Sequence, residues 1–125
     1  MTLQETVPDE RLITEVRVID GALSRLSHLR GIFYEYADAA RAEHGCFPPG
    51  QSVGVSAQAV EAVLPQAVRA STFDAGEDAT EGAFLAVRHD LLVPLLIEAV
   101  HERGEIIDAL ARRVADLEYR VRQIR

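Results

Sequence analysis

Lysine is missing from this chain of 125 residues: all thirteen basic residues are arginine. Chemistry that needs a lysine amine as base or nucleophile is thereby excluded. Cysteine is nearly missing too, and with Cys46 standing alone no intrachain disulfide can form. No apolar run approaches the roughly 20 residues that cross a bilayer; the longest is LLVPLLI at 91–97. The opening MTLQETVPDE is acidic and no apolar stretch follows it, so no signal peptide and no membrane insertion are expected. Positive charge is scarce. The net charge of −7 argues against nucleic acid as a partner, because phosphate contacts need clustered basic side chains. The balance is uneven, however: residues 112–125 carry +3 and the rest of the chain −10. Arginines near a helix C-terminus suit the helix dipole without any partner.

Conventional active-site signals are absent as well. His28, His44, His89 and His101 form no His-x-x-x-His pair. HGC at 44–46 brings two ligand types together where a structural zinc needs four. There is no Walker loop and no glycine-rich dinucleotide fingerprint. GVSAQ at 54–58 lacks the second glycine of a nucleophile elbow, which leaves Ser56 as a helix N-cap. Glu77 and Asp78 sit in an acidic turn at 74–81 where nothing would shift their titration. No catalytic residue, metal or cofactor is expected from these residues.

What is present divides into three zones. In the first, Ile13, Val16, Val18 and Ile19 can rest on a core, and Asp20 stands where it could cap a helix carrying Ala22, Leu23, Leu26 and Leu29 at helical spacing. IFYEY at 32–36 then reads as a strand. The second zone, about 37–88, contains the loop FPPGQ, a brief strand at 52–55, and a helix from Ala57 to Leu64 stopped by Pro65. Two short strands within QAVRAS and GAFLAVR flank the acidic turn.

The third zone is a helix from Asp90, which can cap its start, to Arg125, with Pro94 placed in or just beyond the first turn, where a missing N–H costs least. A heptad runs through it. Val93, Val100, Ile107, Val114 and Val121 fall at a, and Leu96, Arg103, Leu110, Leu117 and Ile124 at d. Nine of these ten positions are apolar, the pattern of a coiled-coil seam, and a local break is expected at Arg103–Gly104. In parallel association Arg113 lies near Glu118 of a neighbour, while Arg120 and Arg125 repel mildly. β-Branched residues at a with leucine at d lean towards two strands.

Three segments carry a resemblance. PDERLITEVRVIDGALSRLSHLRGIFYEY, VGVSAQAVEAVLPQAV and FLAVRHDLLVPLLIEAVHERGEIIDALARRVADLE resemble, in this order, the opening, central and closing blocks of the C-terminal intramolecular chaperone domain of phage tail spikes and tail fibres. Endosialidase tail spikes carry this domain, and myelin regulatory factors carry a relative. The resemblance implies a trimerising domain that folds the fibre preceding it. It also implies a self-cleaving Ser–Lys dyad in a Ser-Asp-x-Arg-Leu-Lys motif, cut just before the serine. Here Asp9, Arg11 and Leu12 match that motif, but the serine position is Pro8 and the lysine position Ile13. Pro8 offers no nucleophile, Ile13 offers no base, and no other lysine exists to replace it.

The expected architecture is therefore α+β and homo-oligomeric: a small mixed head at 1–88 with short strands and helices, followed by an oligomerisation helix at 89–125. Pro8 is expected to stiffen the approach to the fold and Ile13 to be buried. The expected function is a non-proteolytic trimerisation chaperone or structural tip of a phage-type tail fibre, not an enzyme. It would act in the virion tail or in the host cytoplasm during assembly, with itself and a fibre or spike protein as partners. The resemblance implies a trimer, which is preferred to the dimer of the seam composition because the head can set stoichiometry. The alternative is an adaptor on a tail-like particle that binds protein or glycan through the 74–81 turn or the 44–50 loop.

Overall fold

The computed structural model describes residues 5–43, 45, 47–71 and 84–124. The acidic turn 74–81, and His44 and Cys46 of the 44–50 loop, lie outside the described residues. The chain folds as α1 (Ala22–Leu26), β1 (Ile32–Tyr34), α2 (Asp38–Glu43), β2 (Ser52–Gly54), α3 (Ala57–Val63), β3 (Val68–Ser71), β4 (Phe84–Val87) and α4 (Leu92–Gln123). One-turn 3-10 helices at Pro65–Ala67 and His89–Leu91 link α3 to β3 and β4 to α4. This is the α+β arrangement expected, with one addition. Helix α2 has no apolar periodicity to betray it; alanines favour it, and Asp38 and Arg41 pair across one turn at 2.8 Å.

The strands form two separate antiparallel pairs. In the first, Ile32, Phe33 and Tyr34 face Gly54, Val53 and Ser52. In the second, Val68 to Ser71 run against Val87 to Phe84, and the Arg88 N–H extends the ladder by donating to the Ala67 carbonyl at 2.7 Å. Helix α3 starts as expected: the Ser56 hydroxyl accepts from the Ala59 N–H at 3.3 Å.

The fully buried centre is small and is assembled from distant parts of the chain. Ala22 of α1, Val60 of α3, Ala67, and Leu92, Leu95 and Ala99 of α4 are buried together. Ile19, Leu23, Leu26, Leu64, Val68 and Val87 pack around them. The start of α4 is thus the floor of the head's core. The other apolar residues of the first zone do not join it: Ile13, Val16 and Val18 are exposed. Among the described residues before α1 no strand forms, and Glu15 takes a left-handed backbone (φ 56°) that bends the chain between Ile13 and Val16.

Two expected helix caps are corrected. Asp20 does not cap α1: Gly21, at φ 60°, occupies the cap position, and the Asp20 carboxylate meets Arg25 at 3.4 Å instead. Asp90 lies inside the 3-10 turn, so Leu91 precedes α4 and no side chain caps the long helix. A chain already turning tightly at 89–91 carries Asp90 past the position from which its carboxylate could reach the first free N–H groups.

The break expected at Gly104 does not occur, and α4 runs unbroken for 32 residues, about 48 Å. A glycine inside a helix costs only about 1 kcal/mol, and neither a proline nor an intruding side chain is present there to kink it. Pro94 is the third residue of α4, where its missing N–H has no intrahelical acceptor to lose.

Candidate functional site

Helix α4 presents two faces. Leu92, Leu95 and Ala99 are buried against the head, and Glu102 continues the same face. The heptad residues lie about 100° further round the helix, at its upper end, from the 3.6-residue period. There the seam is open. Val93, Leu96, Val100, Ile107, Leu110, Val114, Leu117, Val121 and Ile124 are between 45% and 79% exposed, and Arg103 is exposed among them. From Glu105 to Ile124 every residue is exposed, so about 30 Å of helix projects past the head with nothing packed on it. Ile97 and Ile106, each about half exposed, flank the seam on either side. Its upper half is therefore wider than a strict a/d stripe and is closer to the face of a helix bundle.

The head takes part in this surface. Leu23 and Leu26 of α1 join Leu96, Ala99, Val100 and Arg103 to line a shallow groove of about 280 Å³. The spacing of Leu23 and Leu26 marks a helical face, but nothing local says that the face borders the seam.

A carboxylate holds α1 in that place. Glu102 accepts hydrogen bonds from the Ala22 N–H (Oε2, 2.7 Å) and the Leu23 N–H (Oε1, 3.3 Å), doing for α1 what Asp20 was expected to do. The first N–H groups of a helix have no partner within it, and a negative charge there also suits the dipole. The other flank of α1 is tied by Arg25, which donates to the Val63 carbonyl at the end of α3 (2.7 Å) and to the Asp20 carbonyl (2.9 Å). Glu102 lies about eighty residues from the groups it caps, and no spacing rule could have found it.

PDERLI folds into a turn closed on itself. The Leu12 N–H donates to the Asp9 carbonyl at 2.8 Å, and the Asp9 carboxylate receives the Arg11 N–H, Nε and Nη2 at 3.0, 3.0 and 2.8 Å. The three residues that match the family motif are those that build the turn. Pro8 is exposed, and Ile13, expected to be buried, is 38% exposed because the turn stands outside the core. The hydrogen bonds from Arg11 hold the Asp9 carboxyl below its ordinary value. The turn should accordingly be intact above the ordinary carboxylate range and loosen as pH falls through the lowered value. In an NMR titration Asp9 is expected to protonate below the ordinary aspartate value, and Arg11→Ala to return it towards that value. Equal titration in both proteins would show that the pair does not form in solution.

A second concavity lies between β1, α2 and β4. Tyr34, Tyr36, Phe47, Val55, Phe84 and His89 are among the side chains around its space of about 640 Å³. Tyr36 stacks on Phe47 with ring centres 4.4 Å apart and meets Tyr34 edge-on at 5.6 Å. Gly54 makes room for the Tyr34 ring, since a Cβ there would stand 3.2 Å from it. Among the described residues, no group of three or more His, Cys, Asp or Glu converges as a metal site, and no helix is long and apolar enough to cross a membrane.

No curated protein matches the chain. A protein-family model does: that of the chaperone of endosialidase, over residues 8–69. The matched stretch begins at the proline of PDERLI and runs through α1, the first strand pair and α3 into β3, taking in the opening and central blocks while the closing block lies beyond it. Over residues 8–69, just under half of its length, the chain is similar to the chaperone of endosialidase family.

Proposed function

We propose that this chain is a non-proteolytic assembly module of a phage-type tail fibre or spike. It forms a homotrimer through α4 and either folds a fibre partner or remains as its tip, in the virion tail or in the host cytoplasm during assembly. The observation that carries this reading is the open seam. Nine large aliphatic residues line one side of α4, six of them on its projecting part, and each would contribute roughly 1.5–3 kcal/mol if fully buried. The widening by Ile97 and Ile106, together with the family, supports three strands over two. The loss of catalysis rests on Pro8 and Ile13 at the dyad positions and on a chain without lysine.

Native mass spectrometry at micromolar concentration is expected to give three times 13.7 kDa, and a monomer would sink the assembly reading. A fibre segment fused upstream should stay attached on a denaturing gel. Cleavage before Pro8 would overturn the non-proteolytic half of the proposal alone. A second reading, an adaptor that binds a protein, is favoured by the aromatic-lined concavity at Tyr34, Tyr36 and Phe47.

A further inference from the structure

Arg103 and Gly104 both break the rules of the helix they sit in, and each break lacks a reason within one chain. Arg103 is the only charged residue in the seam, at a d position that otherwise carries leucine or isoleucine. Gly104 is the next residue, at e. Its backbone is helical, its φ is not positive, and a Cβ built on it would meet nothing within 4 Å. A Cβ would fit there in the single chain, and almost any other residue would make a better helix. One turn further, on the same face as Gly104, stands Asp108. Neither Arg103 nor Asp108 has an ion-pair partner within the chain among the described residues.

We infer that these three residues are an orientation lock between copies of this chain: Arg103 leaves the seam over Gly104 of a second, parallel copy and pairs with that copy's Asp108. This rests on the assembly reading above. In a parallel in-register coiled coil, a d side chain inserts among the facing a, d, e and next a positions. For Arg103 those are Val100, Arg103, Gly104 and Ile107 of the neighbour. Arginines from each copy meet in this layer, and no carboxylate occupies an e or g position beside it: Ala99, Gly104 and Ile106 are there. Burying like charges without a partner is costly. The glycine opens one wall of the hole, so the arginine stem can lie on apolar surface while its guanidinium reaches outward. Asp108, four residues after Gly104, is the carboxylate on the far side of that opening. An antiparallel or shifted arrangement would separate Arg103 from both the opening and the carboxylate. The lock therefore selects parallel, in-register association of chains whose remaining seam is apolar and indifferent to register.

The test is a charge-reversal cycle on the full chain, read by sedimentation equilibrium. Arg103→Glu and Asp108→Arg are each expected to raise the dissociation constant about tenfold, and the double variant to return within about threefold of the native value. Gly104→Leu should raise helix content by circular dichroism yet weaken association about tenfold, because the wall is closed. Single effects that add in the double variant, or a Gly104→Leu oligomer tighter than native, would overturn the lock while leaving the assembly reading intact. A native chain that is monomeric throughout would overturn both.

Discussion

With Leu110 and Leu117 both replaced by aspartate, the proposed trimer is expected to fall apart into chains of 13.7 kDa that keep their head. Both leucines belong to the projecting part of α4 and are 59% and 45% exposed in the single chain, so their loss removes nothing from the head's core. In the proposed seam they would be buried, and each lost leucine would forfeit roughly 1.5–3 kcal/mol of transfer free energy. Over two layers and three chains the loss is on the order of 10 kcal/mol before the cost of placing carboxylates at the axis is added. Such a change moves a micromolar assembly far beyond any working concentration. Helix content should fall with the mass, because a projecting helix of this length is marginal alone. An unchanged mass would mean that the seam is not the interface.

Glu102→Ala is expected to lower the stability of the head by about 2–3 kcal/mol, the cost of leaving the Ala22 and Leu23 N–H groups without their acceptor in a half-buried place. Glu102→Gln keeps one acceptor oxygen and should recover part of the loss. Ser56→Ala provides the internal scale: it removes one exposed capping bond, worth about 1 kcal/mol. Urea unfolding measures all three, provided the slopes match the native one. If Glu102→Ala lies within about 0.5 kcal/mol of native, as ordinary surface changes do, the capping bonds are not holding α1 to α4.

These two residues also mark what a sequence can and cannot disclose. Leu110 and Leu117 belong to a repeat, and a repeat of seven written five times is visible without coordinates. The Ser56 cap and the paired strands at 68–71 and 84–87 were legible for the same reason, as local patterns with one dominant solution. Asp20 and Asp90 satisfied the local rule for caps and failed it: Arg25 competes for the first, and a 3-10 turn displaces the second. Glu102 satisfied no local rule at all, since its partners are far away in the chain. Ile13, Val16 and Val18 have the hydrophobicity of core residues but no strand or helix to aim them, and they remain outside the core. Helix α2 leaves no pattern in the sequence, because alanine favours a helix without announcing a buried face.

The placement of Leu92, Leu95, Ala99 and Glu102 has a consequence in time. Synthesis runs from the N-terminus, so α1, α3 and both strand pairs are made before the floor that buries Ala22, Val60 and Ala67 exists. A chain stopped short of residue 92 has neither that floor nor the carboxylate that seats α1, and its head cannot be finished. The same stretch of α4 begins the seam. The rest of it, Ile107 to Ile124, is made only afterwards, so in the proposed assembly the parts of the head are all present before the helix that would join the copies is complete.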